Sequence, residues 1–241
     1  MRDSKCKACD MSYTIAEKIL LAHTDKKDIR PGEFIEAKVD LCLGNDITAP
    51  LAIEEFKKAG FKRVFDQDKI VLLPEMGLVS PGDLVIGADS HTCTYGALGC
   101  YSTGIGSTDL ARAFIDGKCW LKVPATIKFA YKGKLKQWVG GKDLILYTIG
   151  KIGVDGALYK VMEFCGSVIE KLGMDDRFSM SNMAIEAGAR AALIEPDTIT
   201  RRFVAGFKRK SKFYHSDSDA VYEKTYEWDV TKLEPQVSCP H

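Results

Sequence analysis

The run IGADSHTCTYGALG, residues 86–99, sets Asp89, Ser90 and His91 side by side at the end of the hydrophobic segment DLVIGA. A carboxylate, a hydroxyl and an imidazole in one loop can bind a polar substrate and hold or move protons. In open α/β sheets ligands sit beyond the carboxyl ends of strands, where this loop would fall. The same residues also have plain structural uses, since Asp and Ser cap local backbone and a histidine can be a satisfied structural group. Position alone leaves both readings open. In STGIGSTD, residues 102–109, glycines lead into a helix start that could hold an anion on free N–H groups. Small residues serve tight strand-to-helix packing equally well. In SNMAIEAGA, Asn182 and Glu186 are four apart, which puts them on one face of a helix. Such a pair is commonly a solvated face. With Met183, Ala184, Ile185 and Ala187 around it, however, a buried Glu186 would need a partner, and His91 is the natural one. Cys6 and Cys9 have metal-site spacing, but one CxxC without a second pair does not complete a tetrahedral site.

The elements that must position these groups alternate. TIAEKILLAHT is periodic as a helix, with Thr14 and Glu17 spaced as a capping box. FIEAKVDLCL alternates as a strand, and APLAIEEFKKAG reads as a helix closed by Gly60. DKIVLL and DLVIGAD are continuous apolar runs, the pattern of short buried strands. STDLARAFIDGK follows as a helix capped by Ser107 or Thr108. From Val123 the pattern restarts: strand ATIKFAYKG, helix KDLILYTIGKI, strand ALYKVMEFC, helix MSNMAIEAGAR, strand AALIEP and helix TITRRFVAGF. Strands alternating with helices predict α/β layers, two of them meeting near Pro124. The stretch from 206 to 241 is charged and poorly periodic until YEKTYEWDV, and its end on Pro240 and His241 reads as an interruption. PEMGLVSPGD is too short, and too rich in Pro and Gly, for an ordinary helical crossover. DKIVLL and DLVIGAD should therefore not be an adjacent parallel pair joined by a helix.

Bulk properties exclude several classes. At 241 residues, 46% hydrophobic and 28% charged, the chain can bury a sizeable core. A net charge of +1 points to neither nucleic acid nor a membrane surface. No apolar run spans a bilayer, and the charged start MRDSKCK has no signal-peptide core behind it. Eight scattered cysteines, mostly in apolar segments, suit a reducing compartment, so the expectation is a cytoplasmic protein.

TIAEKIL, KVDLCLGNDITAPLAI, GDLVIGADSHTCTYGALG, TGIGSTD, GKIGVDGALYK and NMAIEAGA, in that order, resemble the large-subunit type of the aconitase family, in its isopropylmalate branch. The likeness runs from Thr14 to the end. It implies an α/β fold of two layered α/β/α units, the first lacking a strand–helix section. It divides the chain into a polar extension (1–13), a first α/β domain (14–122, shortened near 73–75), a second (123–205) and a charged connecting tail (206–241). It implies catalytic roles for Asp89, Ser90, His91 and Glu186, the last paired with His91, and substrate contacts for Asn45, Ser90 and Asn182. It also implies a 4Fe–4S cluster held by three cysteines, with one iron acting on the substrate. The partners implied are a small subunit and a small hydroxy-dicarboxylic acid, with no nucleic acid and no membrane.

Against the family pattern, this chain passes from DKIVLL straight to PEMGLV. The family's Asp-His pair and the histidine that partners Asp89 are missing there, and the chain ends before the family's C-terminal half. None of Cys42, Cys93, Cys100, Cys119, Cys165 and Cys239 matches a cluster ligand, so no metal ligand is assigned. The resemblance implies a hydro-lyase interconverting 2- and 3-isopropylmalate by dehydration and rehydration in leucine biosynthesis, inactive as this isolated chain. Dimethylmalate or homoaconitate are alternative substrates. The alternative class is a non-catalytic relative that only folds or binds a partner subunit.

Overall fold

The computed structural model describes residues 12–239 apart from 46, 73–75 and 208. The Cys6–Cys9 pair and the expected junction at 73–75 lie outside the described residues. Helix α1 (Ile15–Ala22) starts as its sequence predicts: Thr14 Oγ1 accepts the Glu17 N–H, and the Glu17 carboxylate accepts the Thr14 N–H at 2.8 Å. The run FIEAKVDLCL, expected as one strand, divides into β1 (Phe34–Lys38) and β2 (Leu41–Leu43). The break falls at Asp40, whose carboxylate accepts from the Leu84 N–H at 3.0 Å and meets His23 Nε2 at 2.5 Å. Those bonds turn the chain from one sheet into another.

Helix α2 (Ala49–Lys58), β3 (Ile70–Val71), β4 (Leu84–Gly87), β5 (Tyr101–Gly104), α3 (Ser107–Asp116) and β6 (Lys118–Lys122) complete the first unit. Its sheet is parallel in the order β3-β2-β4-β5, while β1 and β6 form a separate antiparallel ribbon. Strand β2 separates β3 from β4, as the short connection requires, and a single 3-10 turn at Met76–Leu78 stands where a crossover helix would be. Gly106, not Ser107 or Thr108, is the N-cap of α3: its extended backbone makes Ser107 the first helical residue.

The second unit runs β7 (Thr126–Lys132), α4 (Gly141–Ile152), β8 (Val161–Cys165), α5 (Met174–Met183), β9 (Ala191–Ile194), α6 (Thr198–Phe203) and β10 (Lys224–Asp229). Its parallel sheet has the order β10-β7-β8-β9. Residues read as a connecting tail thus supply an edge strand. Ser216 ties the two units. It accepts the Ile15 N–H at 2.7 Å, donates from its hydroxyl to Glu163 at 2.9 Å, and donates from its N–H to Glu195 at 2.7 Å. The cluster around Ile19, Leu84 and Tyr101 also takes in Val161, Ala191 and Leu193 of the second unit, and a second cluster centres on Phe129, Phe164 and Met162. A third joins Leu41, Val85 and Leu98 to Met174 and Phe178 across the two units. Among the described residues no helix is long and apolar enough to cross a membrane.

A buried charge cluster fixes the amino ends of β2 and β4. Burial works against the His23 imidazolium, yet its bonds to Asp40 and to the Ile19 carbonyl outweigh that and raise its pKa above 6.5. Burial likewise opposes the Asp40 carboxylate, but His23 and the Leu84 N–H hold it below 3.8. Asp83, beside Arg209, is pushed up to about 6 by burial. A raised folded pKa gives stability that is full below the unfolded value and lost as pH rises through the folded one; a lowered one is lost as pH falls. The His23 contribution therefore disappears above 6.5, and Asp83 acts in the same direction through about 6. The urea midpoint is expected to fall between about pH 5.5 and about pH 8.5, and His23→Gln should remove much of that slope. An identical slope in the variant would contradict this assignment.

Candidate active site

In the first sheet the chain runs from β2 outward to β3, then returns to place β4 on the other side of β2. That reversal opens a crevice at the carboxyl ends of β2 and β4, the position where open α/β sheets bind ligands. Asn45 follows β2 and Asp89 follows β4. The Asn45 amide bridges the crevice, donating to Asp89 Oδ2 at 3.1 Å. Asp89 Oδ1 accepts the His91 N–H at 2.8 Å and caps the long 3-10 stretch Ser90–Leu98. Asn45 is oriented by its own carbonyl oxygen, which accepts from the Thr48 N–H and hydroxyl at 2.8 Å each. A cavity of about 170 Å³ lies here, lined by Gly44, Asn45, Asp89, His91, Thr92 and Tyr95. Gly104 shows why the neighbouring stretch needs glycine: a Cβ there would lie 2.8 Å from both the Asp89 carbonyl and Ser90 Cα. This glycine serves close packing.

Asp89, Ser90 and His91 are all exposed. The His91 ring meets the second unit, with Nδ1 3.3 Å from the Asn182 carbonyl. A carbonyl only accepts, so Nδ1 carries the proton and Nε2 is left to take or give one. Asn182 Nδ2 donates to Thr94 Oγ1 at 2.8 Å, and Thr94 Oγ1 donates to the His91 carbonyl at 2.6 Å. The expected His91–Glu186 pair is not formed. Helix α5 ends at Met183, and Ala184–Ala187 is a 3-10 turn closed by Gly188 at φ +78°. The tighter winding breaks the four-residue periodicity, so Asn182 faces the Asp-Ser-His loop while Glu186 is exposed beside a groove with Lys142, Met183 and Val237. Glu186 makes no hydrogen bond or ion pair among the described residues.

Arg177, which sequence reasoning passed over, anchors α5. It is fully buried, forks onto Asp197 at 2.6 and 2.9 Å, and donates to the Ile169 and Leu172 carbonyls. Burial disfavours the Asp197 carboxylate, but Arg177 and the α6 N–H groups it caps hold its pKa below 3.8. Half of this pair was readable, since Asp197 stands at the N-cap position before TITRRF.

Cys42, Cys93, Cys119 and Cys165 do not fit an iron–sulfur cluster as the fold holds them. Burial pushes Cys42 and Cys93 up to about 12 and Cys119 and Cys165 up to about 11, whereas a ligand must be a thiolate. Among the described residues no group of three or more His, Cys, Asp or Glu is placed to hold a metal ion.

Two parallel sheets, with polar groups gathered where one of them reverses strand order, define a two-unit α/β protein with a switch-point site. The sequence profile of the aconitase family (aconitate hydratase) matches residues 70–241, and the chain belongs to that family. It is 53% identical to the 3-isopropylmalate dehydratase large subunit of Thermodesulfovibrio yellowstonii, over 96% of this chain and 66% of that protein. The figures are 52%, 96% and 66% for the Syntrophus aciditrophicus large subunit, and 52%, 95% and 64% for large subunit 1 of Pyrococcus furiosus. The chain thus spans about two thirds of the length of these curated relatives. The first match runs over 276 positions, more than the 241 residues of the chain, so at least 35 of them have no residue here.

Replacing Arg177 by Leu leaves two buried carbonyls and a carboxylate without their donor. Such a break should cost about 3 kcal/mol, read as a lower urea midpoint with an unchanged slope. A loss below about 0.5 kcal/mol would show that Arg177 does not anchor α5.

Proposed function

We propose that this chain is the substrate-crevice portion of an aconitase-family hydro-lyase that interconverts 2- and 3-isopropylmalate by dehydration and rehydration, in the cytoplasm, as a step of leucine biosynthesis. The observation that carries this reading is 52–53% identity over 95–96% of the chain to the three large subunits above. The crevice supports it. Asp89 and Asn45 present a carboxylate and an amide at the switch point, and His91, with its Nδ1 proton on the Asn182 carbonyl, keeps Nε2 for proton transfer. Ser90 and Asn182 complete the substrate side in this reading. The relatives' designation as large subunits points to a small-subunit partner, and the ligand is a small hydroxy-dicarboxylic acid. Dimethylmalate and homoaconitate are the substrates to set against isopropylmalate.

The family's 4Fe–4S cluster would supply a Lewis-acid iron. Turnover by this chain alone is not expected, because Cys42, Cys93, Cys119 and Cys165 are held as thiols and no three metal-binding side chains converge among the described residues. A second reading, a non-catalytic relative that folds and binds a partner subunit, is favoured by those buried thiols.

The test is a chimera in which this chain replaces its matched residues in the Thermodesulfovibrio yellowstonii relative, with the relative's unmatched positions retained and its small subunit added. Isomerisation is expected for the chimera and not for the isolated chain. His91→Ala should lower kcat/KM of the chimera by about 10²-fold or more. An inactive chimera that folds and assembles would support the non-catalytic reading. Full activity of the His91→Ala chimera would remove His91 from the mechanism.

A further inference from the structure

A cleft separate from the Asn45–Asp89 cavity, with a volume of about 420 Å³, opens between the two units. Its walls include Ser90, Gly104 and Asp109 from the first unit, Trp120 on β6, and Tyr159 and Arg190 from the second. Arg190 is half-buried, with its guanidinium 5.2 Å from the centre of the Tyr159 ring. Among the described residues it has no carboxylate within ion-pair distance and no side-chain hydrogen bond. A guanidinium carries five N–H donors in a planar fork that matches a carboxylate or phosphate. The Arg190 nitrogens still reach solvent, so an anion on this fork would displace water and meet no competing protein acceptor.

Two further observations point to the same place. Tyr159 has φ +61°, an uncommon conformation for an aromatic residue, and its backbone is locked there: Tyr159 N–H donates to the Gly188 carbonyl at 3.0 Å and Arg190 N–H donates to the Lys160 carbonyl at 2.8 Å. The ring is thereby fixed as a platform under Arg190. Tyr101 is 2% exposed, yet its hydroxyl makes no hydrogen bond among the described residues. The oxygen still reaches solvent, so it can take a partner from outside the protein. The charges felt by this phenol are those of Arg190, Tyr159 and Cys119, all three of which line the cleft. Asp109 also lines it, and its like charge disfavours a polyanion.

We infer that this cleft is a binding site for a small monoanion bearing a carboxylate or phosphate group, gripped by Arg190 on its Tyr159 platform, with the Tyr101 hydroxyl as a second donor and Trp120 at the rim. Ser90 of the proposed substrate crevice also lines this cleft, but the grip on the anion is assigned to Arg190 and uses none of Asp89, Ser90 and His91.

The full chain is titrated with inorganic phosphate and, separately, with acetate and isobutyrate at constant ionic strength, followed by thermal shift and by the fluorescence of Trp120, which is 68% exposed. Saturable binding of at least one probe is expected. Saturation by phosphate alone identifies a phosphoryl ligand, and saturation by the carboxylates alone a carboxylate ligand. Arg190→Gln should weaken binding about tenfold or more, the loss expected for a hydrogen bond to a charged group. Tyr101→Phe, which keeps the buried ring, should weaken it severalfold, and Asp109→Asn should tighten it. The inference is overturned if no probe saturates, or if Tyr101→Phe and Arg190→Gln, both folded, bind as the parent does.

Discussion

The whole arrangement rests on a close backbone contact between the two units. The 3-10 stretch Ser90–Leu98 leaves β4 and lies against β9, and at Gly96 it comes so near that a Cβ would overlap the Ala192 carbonyl oxygen. No other residue type fits without moving the strand. The seating continues at Gly99, whose φ of +76° ends the stretch against Pro196, and at Asn182, which reaches Thr94 and presents its carbonyl to His91. The Asp-Ser-His loop is thus a property of both units: the first sheet delivers it and the second holds it.

That dependence explains which features the sequence made legible. Local signals translated directly. The Thr14–Glu17 spacing became a capping box, and the continuous apolar runs before Asp89 and Glu195 became buried parallel strands. Asp89 was legible at the end of its apolar run, whereas Asn45 entered only through the family resemblance; the strand order then places the two together. What failed were inferences that carried one periodicity across a change of backbone. FIEAKVDLCL alternates throughout, but Asp40 is claimed by His23 and Leu84, and the strand breaks there. Asn182 and Glu186 are correctly spaced for one helical face, but the helix tightens between them, and nothing in NMAIEAGA announces it.

The same limit applies to long-range polar pairs. Arg177 sits in a segment of low apolar periodicity and would be read as a solvated residue, yet it is fully buried on Asp197, twenty positions away. Ser216 lies in a stretch that looked like a tail and instead joins α1 to β8 and to Glu195. Such groups are visible only once the fold brings their partners together, because their cost of burial is offset by bonds to distant residues. Family membership followed from the motifs and their order; the way the two units hold one another did not.

The most direct test is to replace Gly96 by Ala and compare it with Gly150→Ala, an exposed α4 position where nothing lies within 4 Å of the added carbon. If the seating of the Asp-Ser-His loop on the second unit carries the structure, Gly96→Ala should lower unfolding stability in urea by about 1–3 kcal/mol or more. Gly150→Ala should leave it unchanged or raise it by about 0.5–1 kcal/mol. A Gly96→Ala protein that unfolds at the parent's urea midpoint would contradict the account.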